Sequence, residues 1–231
     1  MDRIFNKYGN IILGFALLTV IIAIAAKSVL PCAYFYPIDG NYQNYNIVRR
    51  ILDGQIPYKD FAIYLGLLHA YLGAFFTLIF GNNFCACTFA FNLLTVAITA
   101  LFSLFLGLIR KLNFKFVCAV TIGLILLLYF FYLHYPFASV VHLVSVDNSA
   151  KMVRFLPLLI GAVSIYTILK KVKNENLNKI LIGATAGVVF PLSNDFGIVC
   201  AFAIAVIFTL RTVFEKTSLK KKFISMSLYI A

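Results

Sequence analysis

The chain has 231 residues, 62% of them hydrophobic and 12% charged, with 24 Phe, 13 Tyr and a net charge of +12. A water-soluble domain is nearer half apolar and a quarter charged, so the composition excludes that class and defines a membrane protein. The excess positive charge argues against nucleic-acid binding, because it falls in short clusters between apolar runs.

Those clusters are Arg110, Lys111 and Lys115; Lys170, Lys171, Lys173 and Lys179; and Arg211, Lys216, Lys220, Lys221 and Lys222. Such spacing is the pattern of cytoplasmic loops under the positive-inside rule. The expected fold is an all-α polytopic transmembrane helix bundle, a single domain over residues 1–231, with short interfacial helices in its first outer loop. Spans are expected at Ile11–Leu30, Ala86–Ile109, Phe116–Leu133, Phe155–Leu169, Ile180–Leu192 and Gly197–Phe214. The first lacks a small-residue cleavage site and reads as an uncleaved signal-anchor with its N-terminus inside. The final apolar stretch, Phe223–Ala231, is too short to cross a core that needs about twenty residues. The chain is therefore expected to be the front part of a longer protein.

The polar segment 31–60 holds three of the eight acidic residues, Asp39, Asp53 and Asp60, together with Arg49, Arg50 and Lys59. Ionisable groups near a bilayer are kept where they are solvated, paired or used. Within this loop a helix is expected over Gly40–Asp53, capped by Asp39 or Asn41 and ended by Gly54. Its apolar side would carry Tyr42, Tyr45, Ile51 and Leu52, and Asp53 would pair with Arg49 or Arg50 along the helix. Gln55-Ile56-Pro57-Tyr58 turns the chain toward a second helix, with Asp60 at its start.

Charge parity raises a question about that second helix. With the basic clusters inside, the 31–60 loop is outside, so the chain must cross an odd number of times before Arg110. The stretch from Phe61 to Ile109 carries no Asp, Glu, Lys or Arg and is long enough for two spans. Phe61–Phe80, with Tyr64, His69, Tyr71 and three glycines at or near it, is the better candidate to lie along the interface. The alternative is that both segments cross and the Arg110 cluster is external.

Asp39-Gly40-Asn41-Tyr42 follows the N-terminal anchor, the loop helix closes in the Leu-x-Gly-x-x-Pro-Tyr-x-Asp-Phe stretch of Leu52 to Phe61, and the next apolar segment ends in Ile79-Phe80-Gly81. These motifs resemble the GT-C superfamily of polytopic glycosyltransferases. The likeness is to bacterial relatives of dolichyl-phosphate-mannose protein mannosyltransferases and aminoarabinose transferases. It covers about the first 110 residues and continues loosely through Asp147–Arg154 and Ser193–Gly197.

The resemblance implies inverting transfer of a sugar from a polyprenyl-phosphate donor to a glycan, lipid or protein acceptor of the cell envelope. It places the reaction at the outer face of the bacterial cytoplasmic membrane. It maps the catalytic position onto Asp39, whose carboxylate would take the acceptor hydroxyl's proton as general base; helix capping is the competing role. Asp60, Lys59, Asp147, Asp195 and His69 become candidates for positioning acceptor or donor. Arg49, Arg50 and Arg154 are candidates for the donor phosphate, because a guanidinium fork binds phosphate bidentately. Lys151 stands behind them.

Each of these residues also has an ordinary reading. Asp60 could cap a helix, Asp147 and Asp195 could be solvated in loops, and His69 could be satisfied by a backbone carbonyl. No cofactor is called for: a divalent metal is compatible with the chemistry, but the leaving group is already a phosphate that cationic side chains can stabilise. Cys85 and Cys87 lack a second pair or a nearby His, which weakens a zinc reading. No metalloprotease, phosphate-loop or nucleophile-elbow motif occurs. The alternative class is a non-enzymatic membrane protein, a transporter or a scaffold for envelope synthesis. A transporter would be expected to hold ionisable groups at mid-membrane, whereas here they lie at span ends.

Overall fold

The computed structural model describes residues 2–27, 40–134, 152–214 and 227. It is all-helical apart from short connections, with no strand among the described residues. The helices are α1 (Asp2–Lys27), α2 (Gly40–Leu52), α3 (Leu67–Phe80), α4 (Phe84–Ile109), α5 (Phe114–His134), α6 (Leu156–Lys171), α7 (Glu175–Val189) and α8 (Phe196–Phe214). Among the described residues, four segments are long and apolar enough to cross a bilayer: Tyr8–Lys27, Phe84–Ile109, Val153–Lys171 and Phe196–Phe214. Large apolar side chains such as Phe202, Ile207 and Phe214 of α8 stand exposed. Hydrocarbon tolerates such a surface and water does not. The chain is an integral membrane protein.

Two compact units divide it, the first comprising residues 1–61 and 70–153 and the second residues 62–69 and 154–231. In the first, α1, α4 and α5 pack together around Leu17, Ile21, Ile24, Val96, Ala100, Cys118 and Ile125. Small residues bring these helices close. A Cβ on Gly107 would sit 2.5 Å from a Val117 methyl, the close approach that bilayer helices use for packing. Ser103 of α4 and Thr121 of α5 share a hydrogen bond of 2.6 Å. At the start of α4, the Asn83 side chain accepts from the Ala86 N–H at 2.9 Å. That satisfies one of the N–H groups a helix start leaves open.

In the second unit, α6, α7 and α8 enclose Ile182, Val189, Cys200, Ile204 and Phe208. The segment 62–69 belongs to this unit. The Asn194 side chain donates to the Ile63 carbonyl at 3.2 Å. Gly66 passes so close to the 192–194 turn that only a hydrogen fits in place of its side chain.

The expected spans fall on helices α1, α4, α5, α6, α7 and α8, of which α5 and α7 are not among the four segments long and apolar enough to cross. The expected end of the first span, residues 28–30, lies outside the described residues. α7 has 15 residues before a 3-10 turn over Phe190–Leu192. At 1.5 Å per residue its α-helical part reaches roughly 22 Å, short of a hydrocarbon core of about 30 Å. Pro191 removes the N–H that would have continued the helix.

Phe61–Phe80 is a helix only from Leu67. Tyr58 at φ +66° and Gly66 at φ +97° hold conformations that no α-helix contains. The 14 residues of α3 reach roughly 21 Å. α2 ends at Leu52, one residue short of the expected Asp53, with Gly54 at φ +83° and the Gln55 N–H closing on the Arg50 carbonyl at 2.9 Å. Asn41 lies inside the helix instead of capping it, and Asp39 lies outside the described residues. The buried face of α2 is also different. Gly40, Asn41, Asn44, Ile47 and Val48 are inside, while Tyr42, Tyr45, Ile51 and Leu52 are half-exposed. The face against α4 is thus partly polar, which apolar periodicity cannot reveal.

Near the start of α7, Lys179 donates to Glu175 at 2.9 Å. This hydrogen bond and the ammonium charge hold the Glu175 carboxyl below its ordinary value of 4.5. A lowered folded pKa contributes stability above the ordinary value, and the contribution is lost as pH falls through the folded one. Because the carboxylate is well exposed, the effect is small. Acid titration of wild type and Glu175→Gln should diverge only below about pH 4.5, with the variant losing less stability.

Candidate functional site

In the first unit the charged residues of the 31–60 loop gather in the turn after α2. Gly54 lets the backbone reverse, and Pro57 sets the next bend. Asp60 reaches back so that its Oδ2 accepts from the Ile56 N–H at 2.7 Å, and its own N–H donates to the Ile56 carbonyl at 2.9 Å. Arg50 spans the turn from the other side. Its Nε donates to Gln55 Oε1 at 2.5 Å, one terminal nitrogen donates to the Asp60 carbonyl at 3.3 Å, and the guanidinium lies 4.3 Å from the centre of the Phe61 ring. Arg50 and Asp60 therefore build a rigid turn between them.

Asp60 caps this turn and not a second helix, since α3 starts only at Leu67. Asp53 forms no ion pair with Arg49 or Arg50, because the helix ends at Leu52 and Asp53 turns outward into solvent. Arg49 and Lys59 are exposed on the same turn and have no protein partner among the described residues. They are the two cations of the loop free to meet an anion.

Asp60→Ala should destabilise the first unit by about 1 kcal/mol, the usual value of a capping acceptor, while Asp60→Asn keeps an acceptor oxygen and should be close to neutral. Thermal unfolding in detergent would measure both. If Asp60→Asn stays folded yet loses transfer activity, the charge itself has a role at the site.

An open cleft of about 460 Å³ in this unit is lined by Ala26, Phe80, Asn83, Cys85, Ala86 and Phe89. α2 packs on α4 beside it, with the Tyr45 ring edge-on to Phe84 at 5.8 Å.

The second unit brings together two residues that the sequence kept 41 apart. Arg154, at the lead into α6, forms an ion pair with Asp195 Oδ2 at the start of α8. The other oxygen, Asp195 Oδ1, accepts from the Ser193 hydroxyl at 2.6 Å and the Phe196 N–H at 2.7 Å. Phe155 and Phe196 pack with their rings tilted by 36° and centroids 3.9 Å apart beside the pair, and Arg154 is only 17% exposed. Asp195 is thus a saturated helix cap and counter-ion, and Arg154 is directed at a protein carboxylate. His69 is 1% exposed. Asp39, Asp147 and Lys151 lie outside the described residues.

One feature of the first unit was not singled out from sequence. Thr88, Asn92 and Thr95 are all buried on one face of the apolar helix α4, at spacings of four and three. Asn41 and Asn44 of α2 and Thr77 of α3 are also buried. The Thr95 hydroxyl donates back to the Phe91 carbonyl at 2.8 Å. Those of Thr77 and Thr88 have no hydrogen-bond partner among the described residues. The signal was legible, since Thr88, Asn92, Thr95, Thr99 and Ser103 recur with helical spacing in a run that is otherwise almost wholly apolar.

Fold and composition define a polytopic helical membrane protein. No protein family, curated protein or solved structure matched the chain on comparison.

Proposed function

We infer that the chain is a membrane glycosyltransferase of GT-C type, or the part of one that carries its first outer loop. It moves a sugar from a polyprenyl phosphate to an envelope acceptor at the outer membrane face. The observation that carries this reading is the placement of α2 and its turn. A short helix, far too short to span, docks on α4 beside a cleft with aromatic and apolar lining, and its turn presents Arg49 and Lys59.

An isoprenoid chain suits such a lining, and a phosphate suits the two cations. Asp39, immediately before α2, takes the acceptor hydroxyl's proton as the new glycosidic C–O bond forms. The sugar–phosphate bond breaks with inversion, and polyprenyl phosphate leaves with the electron pair. Within this scheme Arg49 and Lys59 contact the phosphate, whereas Arg50 and Arg154 brace the protein through the Gln55 and Asp195 side chains.

Arg49→Gln with Lys59→Gln should raise the KM for donor about tenfold or more, with a smaller change in kcat. Arg50→Gln should instead lower stability. Kinetics on reconstituted protein with a polyprenyl-phosphate sugar, alongside thermal unfolding, would separate the two. An unchanged donor KM in the double variant would remove Arg49 and Lys59 from the site.

A further inference from the structure

We propose that the end of the second unit where α6, α7 and α8 meet binds the headgroup of an anionic phospholipid. The three helices pack on one another through short connections, α6 closing at Lys171, α7 opening at Glu175 and α8 running to Phe214. Arg211, in the last turn of α8, acts electrostatically on the Glu175 carboxylate, which puts these termini at one end.

Lys179 is the unusual member. Only 8% of it is exposed, yet its one partner among the described residues is Glu175, at 2.9 Å. An ammonium has three donors, and burying its charge is costly unless they are answered. Glu175 answers one of them, and because its own side chain is 74% exposed the pair opens toward the surface. The same carboxylate also serves Arg211, so one acid is shared between two cations.

The surroundings add more positive charge. Lys171 and Lys173 are exposed without an ion pair among the described residues. Lys170 lies 5.5 Å from the centre of the Tyr166 ring. Leu169, Leu177, Ile180, Leu210, Val213 and Phe214 stand exposed beside these groups. An apolar rim around cations matches the boundary between acyl chains and headgroups, where long basic side chains settle. A lipid phosphodiester supplies the acceptor oxygens that one carboxylate cannot, and its acyl chains cover the rim.

Native mass spectrometry of the detergent-purified full chain, titrated with phosphatidylglycerol or phosphatidylcholine, tests this. Basic residues near an anionic surface contribute on the order of five-fold each. Wild type should half-saturate with phosphatidylglycerol at about a tenth of the phosphatidylcholine concentration or less. Lys171→Gln with Lys173→Gln and Arg211→Gln should shrink that preference to about twofold. Glu175→Gln should raise it by about threefold or more, because the competing carboxylate is gone while every cation stays. Asp53→Asn, in the other unit, makes the same change in net charge and should leave the preference as it is. Glycerol phosphate, which lacks acyl chains, should not displace the lipid at equal concentration. Circular dichroism checks that each variant keeps its helices. Equal affinity of wild type for the two lipids, a preference that survives the triple variant, no gain in Glu175→Gln or an equal gain in Asp53→Asn would each overturn the proposal. Displacement by glycerol phosphate would overturn it too, since the ligand would then be a soluble phosphate.

Discussion

Replacing Asp39 with Asn should lower sugar transfer by about 10²–10⁴-fold, the usual contribution of a positioned general base. The substitution is chosen because it separates the two roles open to this residue. Asn is as good a helix N-cap as Asp, so a capping role at the start of α2 would be kept, and with it the chain's stability. What Asn cannot do is take a proton from the acceptor hydroxyl. The loss should therefore fall on kcat, with the KM for donor little changed, because the proposed isoprenoid and phosphate contacts do not involve Asp39. Asp39→Ala should lower activity as far and also cost about 1 kcal/mol of stability. Rates of polyprenyl phosphate release from reconstituted protein, paired with thermal unfolding, measure both quantities. Full activity in the Asn variant would leave Asp39 as a cap alone.

The largest structural effect is expected at Gly66. Its φ of +97° is a conformation that side chains rarely adopt, and a Cβ there would lie 2.5 Å from Ser193 Cα and 2.7 Å from the Leu192 carbonyl oxygen. Both neighbours are backbone, so the overlap is relieved only by pulling segment 62–69 off the 192–194 turn. Gly66→Ala should destabilise the second unit by at least about 3 kcal/mol, combining conformational strain with lost packing. Gly54 provides the internal comparison. It has φ +83° but nothing within 4 Å of its would-be Cβ. Gly54→Ala should therefore show the strain alone, about 1–2 kcal/mol. Thermal unfolding of both variants in detergent would measure the difference. Equal effects would mean that the close approach at Gly66 contributes little.

The helices were legible because a bilayer makes the sequence signal simple. Runs of some twenty apolar residues between basic clusters leave few other readings, and α1, α4, α5, α6 and α8 fall where expected. The 61–66 segment was not legible. It is as apolar as the helix after it, and only the positive φ of Tyr58 and Gly66 and the docking of Ile63 on Asn194 decide its form. The end of α7 was not legible for a related reason: the expected span ran to Leu192, and hydropathy continues through the 3-10 turn where Pro191 ends the α-helix.

At the candidate site, sequence identified which residues carry charge but not which ones meet. Arg50, assigned to the donor phosphate, and Asp60, assigned to positioning acceptor or donor, prove to be neighbours holding one turn. Arg154 and Asp195 come together across 41 residues through the packing of α6 against α8. Long-range pairing of this kind depends on helix packing, which short local motifs do not encode. The partly polar docking face of α2 was hidden for a different reason. Asn41 and Asn44 look like surface residues until α4 is seen to bury them.

The central claim is that this chain, with Asp39, consumes a polyprenyl-phosphate sugar. The most direct measurement follows release of polyprenyl phosphate from a radiolabelled sugar donor. Wild type and Asp39→Asn would be reconstituted side by side in proteoliposomes with an envelope extract as acceptor. The account predicts steady release and label transfer by wild type, with release by the variant near background. Donor left intact by wild type across a panel of polyprenyl-phosphate sugars, or consumed equally by both proteins, would contradict it.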